Sequence, residues 1–114
     1  MPDPYVWDDR AIVVNVKNKG LVIMSGCAHA GIINTILYAQ KITGVNTILA
    51  VIGGFHLSGK EYEQRIDDTV KELKLLNPRI LVPTHCTGWR GFYAIREALP
   101  QNCIWNSVGN LYRL

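Results

Sequence analysis

The stretch Asn46 to Gly54, NTILAVIGG, constrains this chain more than any other. It is apolar at nearly every position and shows no period of two. A strand with one wet face alternates apolar and polar residues, whereas a strand covered on both faces reads as a continuous apolar run. The flanking segments carry a different period. From Ala30 to Thr43, Ile32, Ile33, Ile36, Leu37 and Ile42 follow helical spacing, and Gly44 supplies a C-terminal stop. Downstream, Ser58 and Glu61 form a capping-box pattern that opens a second helix with Tyr62, Ile66, Val70, Leu73 and Leu76 as its buried stripe. Asn77-Pro78 ends it. RILVPTH is then a short buried strand, and Thr87 caps a third helix with Phe92, Ile95 and Leu99 inward and Pro100 as its stop.

Two β-rich runs precede this alternation, RAIVVNV and GLVIMSG, joined by a Lys17-Asn18-Lys19-Gly20 hairpin turn with glycine at the left-handed position. NCIWNS and LYRL are expected as short closing strands around Val108-Gly109-Asn110, and residues 1–9 as an irregular leading segment. The predicted order is β-β-α-β-α-β-α-β-β, an α/β layered architecture with a mixed sheet. A chain of 114 residues makes one domain, and 48% hydrophobic with 18% charged residues is a globular composition. The net charge of +3 is mild and its lysines are dispersed, which excludes a nucleic-acid-binding face. Three cysteines cannot all pair with one another, Met-Pro-Asp-Pro lacks the regions of a signal peptide, and no apolar run approaches the roughly 20 residues of a membrane span. A reducing cytoplasm with free thiols is the expected setting.

Chemistry gathers at the strand ends. The chain has three histidines, and each follows a buried strand: His29 after GLVIMSGCA, His56 after ILAVIGGF, His85 after RILVPT. Loops at the carboxyl ends of strands in α/β sheets converge on one crevice. Three imidazoles placed so can share one cation, each at the roughly 2.0–2.1 Å that zinc requires. The other reading is a set of capped, hydrogen-bonded core histidines, since a single strand-end histidine commonly serves that way. Cys27 lies two residues before His29 and Cys86 directly after His85, so a mixed thiolate–imidazole site is a further alternative. Adjacent strand residues point in opposite directions, so both thiols are expected to be small packed residues, and Cys103 core.

GLVIMSGCAHAGIINT, AVIGGFHLSG, VPTHCTGW and NSVGNLYRL, taken in order, resemble the C-terminal half of the metallo-β-lactamase superfamily over about Asp8 to Leu114. The chain is most similar to the metal-dependent hydrolase branch that includes the 7,8-dihydropterin-6-yl-methyl-4-(β-D-ribofuranosyl)aminobenzene 5′-phosphate synthases. The resemblance implies half of an αββα sandwich, with a mixed sheet and helices on its outer face, and residues 1–114 as a single partial domain. It implies His29 as the third metal motif and His85 as the last. The fourth motif usually carries a bridging aspartate; here that region reads IGGFHL, and His56 is its ligand-capable side chain. The signature His-x-His-x-Asp-His of the N-terminal half has no match among the 114 residues.

These resemblances imply one or two divalent ions, zinc foremost, that acidify water towards neutrality and polarise the attacked group of a hydrolase or synthase-like enzyme. The isolated chain would supply one side of that site and be inactive or nearly so. Strands apolar on both faces would leave a large exposed patch, so a separately encoded N-terminal half or a homo-oligomer is the expected partner. Thr87 and Arg90, at a helix start, are candidate anchors for a small, phosphorylated substrate; the alternative is that Thr87 only caps the helix and Arg90 is solvated. Asp8 and Asp9 either reach the rim of the site or end the leading segment, the second being the expected role. Two other function classes stay open: a non-catalytic binding or assembly module with a residual structural metal site, and an ordinary α/β domain without metal.

Overall fold

The computed structural model describes residues 6–114; the first five residues of the leading segment lie outside it. Four strands, β1 (Ala11–Val16), β2 (Gly20–Ser25), β3 (Ile48–Gly54) and β4 (Ile80–Thr84), form one sheet in sequence order. β1 and β2 are the expected antiparallel hairpin, while β2, β3 and β4 run parallel. Helix α1 (Ile32–Thr43) crosses from β2 to β3, α2 (Ile66–Leu76) from β3 to β4, and α3 (Gly88–Ala98) follows β4. This is the mixed α/β sheet read from the sequence. No helix among the described residues is long and apolar enough to cross a membrane.

The two faces of the sheet differ. Leu21, Ile23, Val51 and Leu81 pack against Ile32 and Ile36 of α1, Ile66 and Leu73 of α2, and Phe92 and Ile95 of α3 in one core. The opposite face follows from the register Val14↔Val22↔Ala50↔Ile80, with Ile12↔Met24↔Ile52↔Val82 two residues along. Its buried cluster of Val22, Leu49 and Ala50 includes no helical residue. Ile12 (61% exposed), Val14 (44%) and Met24 (37%) lie open there.

Several local expectations are corrected. Leu37 and Ile42 face outward, because α1 buries Ile32, Ile36 and Ala39 instead. The Ser58–Glu61 capping box does not form: a 3₁₀ turn, Tyr62–Arg65, precedes α2 without a side-chain cap, and Tyr62 leaves the helical stripe for His56. Thr87 occupies the position before α3, but its hydroxyl accepts the Phe55 N–H at 3.1 Å rather than capping that helix. The closing strands reduce to one bridge, Leu81↔Cys103. Beyond it the chain is held by side chains, with the Tyr112 hydroxyl donating to Asn106 Oδ1 at 2.7 Å and the Ser107 hydroxyl to Asn110 Oδ1 at 3.0 Å. Asparagine and serine there offer the backbone local partners in place of a ladder.

Candidate metal centre

Because β2, β3 and β4 are parallel, their carboxyl ends share one edge of the sheet, and the three histidine-bearing loops leave from it. Glycines let those loops close. A Cβ on Gly53 would collide with the Ser25 carbonyl; one on Gly54 would stand 2.5 Å from Cys86 Sγ and 2.8 Å from both His85 Cε1 and the Gly26 carbonyl. Two non-glycine residues in these loops are left-handed, Ala28 at φ 58° and His56 at φ 51°. That conformation costs roughly 1–2 kcal/mol per residue. Strain of this kind persists where surrounding structure over-determines it, commonly at functional sites.

The loops fasten to one another. Phe55 N–H donates to Thr87 Oγ1, and the Leu57 and Ser58 N–H groups donate to the Cys86 carbonyl at 3.1 and 3.2 Å. Thr87 is 2% exposed, and this inter-loop hydrogen bond is its role here. The segment His85–Thr87 is a 3₁₀ turn. The alternation expected of a strand therefore stops at Thr84, and His85 and Cys86 both reach the crevice.

Two groups of side chains line it. On the first side, the rings of His29 and His56 meet edge to face with centroids 4.4 Å apart, and Tyr62 lies 4.2 Å beyond His56. Asp9 Oδ1 is 3.9 Å from His29 Nδ1, while its other oxygen accepts the Ala30 N–H at 3.1 Å. Asp9 thus reaches the rim and anchors the His29 loop, the less expected of its two sequence readings; no local pattern ties it to a residue 21 positions away. Both Nδ1 atoms, of His29 and His56, are buried without a hydrogen-bond partner among the described residues. Burial holds the His56 imidazole below its ordinary pKa, with the charges of His29 and Arg65 acting in the same direction and Asp9 against it.

On the second side, His85 Nε2 lies 3.3 Å from Cys27 Sγ and its Nδ1 3.0 Å from Thr84 Oγ1. The Cys86 thiol donates to the Cys27 carbonyl at 3.4 Å and accepts the His56 N–H at 3.3 Å. The ligand atoms of Cys27, His85 and Cys86 all lie within 4.8 Å of one another. Both thiols, expected as small packed residues, are half-buried members of this group, whereas Cys103 is core as expected. Burial raises the Cys86 thiol pKa, and neighbouring Cys27 adds to the rise. The three imidazoles thus form two adjoining groups. Arg90 stands apart, its Nη1 donating to Glu63 Oε2 at 3.0 Å with 79% of the side chain exposed.

Among the described residues the group spaced to hold a divalent ion is Cys27, His85 and Cys86. The unpaired ring nitrogens of His29 and His56 beside it each cost about 1–3 kcal/mol while they stay unsatisfied. Imidazole, thiol and carboxylate are the donors of the borderline first-row metals.

No protein-family model matches the chain. Over 83 residues, 73% of its length, it is 43% identical to the 7,8-dihydropterin-6-methyl-4-(beta-D-ribofuranosyl)-aminobenzene-5'-phosphate synthase of Methanocaldococcus jannaschii. An uncharacterized protein of the same organism is 34% identical over 108 residues, 93% of this chain. The chain spans 28% and 37% of the length of these two proteins. Among solved structures, a metal-dependent hydrolase of the β-lactamase superfamily matches with a TM-score of 0.82 and 32% identity, over 91% of this chain and 40% of the other.

Proposed function

We propose, from the fold and sequence this chain shares with the metallo-β-lactamase superfamily, that it forms one side of the centre of a metal-dependent hydrolase. His29, His56 and His85 are its imidazole donors and zinc its cation. The observation that carries this reading is the pair of buried, unpartnered Nδ1 atoms at the strand-end crevice. Lewis-acid polarisation of a substrate oxygen and acidified water are what such a cation supplies. The chain's own residues prepare the place. Asp9 holds the His29 loop, burial keeps the His56 ring neutral near pH 7, and Thr84 fixes the orientation of the His85 ring.

The centre is completed by the other half of the fold, an N-terminal half or a second copy of the chain, seated on the helix-free face of the sheet. The apolar side chains of Ile12, Val14 and Met24, exposed in a row of paired strands, support this. Without that half the centre lacks donors, and turnover by the chain alone is expected to be low. The substrate is a small phosphorylated molecule, the chemistry printed in the name of the synthase relative. Thr87 is committed to Phe55, so Arg90 is the anchor for its phosphate, releasing Glu63 as it binds. The exposed sheet face equally suits a second reading, a non-catalytic assembly module with a structural metal.

Metal content by mass spectrometry tests the first reading. Purified protein is expected to carry zinc, and His29→Ala/His56→Ala to lose it from the first side of the crevice. Unchanged stoichiometry in that variant would remove both residues from the site.

A further inference from the structure

We propose that Cys27, His85 and Cys86 form a distinct thiolate-type cation site beside the His29–His56 pair, soft in donor character and selective for zinc-like ions over magnesium or calcium. This rests on the hydrolase reading only in sharing its crevice and His85.

Spacing comes first. Sulfur at about 2.3 Å and nitrogen at about 2.0–2.1 Å from a tetrahedral ion lie about 3.5 Å apart. Cys27 Sγ and His85 Nε2 are 3.3 Å apart, and all three donor atoms lie within 4.8 Å of one another. The ring orientation agrees. Thr84 Oγ1 lies 3.0 Å from His85 Nδ1, and in the tautomer that donates Nδ1–H to it the Nε2 lone pair faces the thiols. A second partner that fixes the tautomer in this way is the usual companion of a metal-binding histidine.

Cys86 is prepared as well, because the His56 N–H donates to its sulfur at 3.3 Å, a bond that strengthens when the sulfur carries charge. The floor beneath the site is Gly54, where any Cβ would occupy the space of Cys86 Sγ and His85 Cε1. His85 is exposed and both thiols are partly so, which leaves a way in for an ion. Cys103 provides the contrast: it is 4% exposed, and among the described residues no metal-ligand cluster includes it.

The donor set decides the ligand class. Two thiolates and one imidazole suit zinc, cobalt or cadmium, while magnesium and calcium take oxygen donors. Binding one divalent ion releases the two thiol protons to solvent, and the two thiolates then balance the charge of the ion. Three protein donors leave a four-coordinate ion one position short of closure.

Cobalt(II) titration of the whole chain, made metal-free with a chelator and kept reduced, tests the proposal. Thiolate-to-cobalt charge-transfer absorption in the near ultraviolet is expected, with about two protons released per ion bound. The band should persist in Cys103→Ser and in His29→Ala/His56→Ala, and vanish in Cys27→Ser/Cys86→Ser, a nearly isosteric change whose folding circular dichroism checks. Zinc binding should also protect Cys27 and Cys86, but not Cys103, from alkylation relative to the metal-free protein. A band that survives in Cys27→Ser/Cys86→Ser, cobalt bound without any such band, or no cobalt bound by reduced folded protein would each overturn the site. If His29→Ala/His56→Ala leaves total metal content unchanged while the band remains, the hydrolase reading fails and the thiolate site stands.

Discussion

The two sides of the strand-end crevice are built from the same loops yet solve opposite problems. On the His85 side every donor already has a protein partner: Thr84 for Nδ1, Cys27 for Nε2, and the His56 N–H and Cys27 carbonyl for Cys86. On the His29–His56 side two buried nitrogens have none. Buried polar groups are overwhelmingly satisfied in native proteins, and these two nitrogens are the ones the proposed cation would satisfy. The lesson is that hydrogen bonds separate the two sides of the crevice, one whose donors are all partnered and one with two nitrogens left over.

The largest effect is expected from Gly54→Ala. Its methyl would meet Cys86 Sγ at 2.5 Å and the Gly26 backbone at 2.8 Å, so the loops must part. Overpacking of this kind costs about 1–3 kcal/mol, read by urea denaturation, and the thiol-side cobalt band should vanish with it. Ile36→Val is the control, since a methyl lost from a fully buried core position costs about 0.5–1.5 kcal/mol yet should leave metal content unchanged. If both variants keep the band, the tight cradle plays no part in binding.

Next comes Thr84→Val, which keeps shape and removes the oxygen facing His85 Nδ1. Zinc affinity measured by chelator competition should fall about 10–100-fold. A smaller change would mean that the thiols, not the ring, set the affinity.

A weaker effect separates the first side. Folded His56 binds its proton less readily than in the unfolded chain, whose value is 6.5. Below that pH the unfolded chain takes up more protons, so stability of the metal-free protein falls as the pH drops from 6.5 toward the lower folded value. His56→Asn, which tolerates the left-handed backbone, should flatten this dependence in thermal melts across that window. An unchanged slope would assign the acid sensitivity elsewhere.

The smallest effect involves the third thiol. Burial pushes Cys103 up to about 11 from 9.0, so it stays neutral in the fold where the unfolded chain has ionised. Stability should therefore decline between pH 9.0 and about 11, and Cys103→Ala should lose that part of the decline. Metal binding should not register the change.

Much of this was legible in the residues. Ile48–Gly54 is apolar because helices cover one side of β3 and strand neighbours crowd the other, and the three histidines do sit at one edge of the sheet. What escaped sequence reasoning lies where the backbone leaves regular structure. The opposed orientation assigned to His85 and Cys86 presumed an extended strand, and a 3₁₀ turn abolishes it. That Asp9 reaches the rim was one of its two readings, but its tie to His29 is a fold-level contact with no local signature. The tail after Cys103 meets the sheet where the Ile104 N–H donates to the Leu81 carbonyl; beyond that its strand-forming residues are tied by Asn106 and Asn110 instead.

X-ray absorption at the zinc edge on the zinc-loaded chain tests the central claim most directly, because it reads the atoms around the ion. The account predicts sulfur scatterers together with imidazole nitrogen, the sulfur disappearing in Cys27→Ser/Cys86→Ser. A shell of oxygen alone, with neither sulfur nor imidazole, would contradict it.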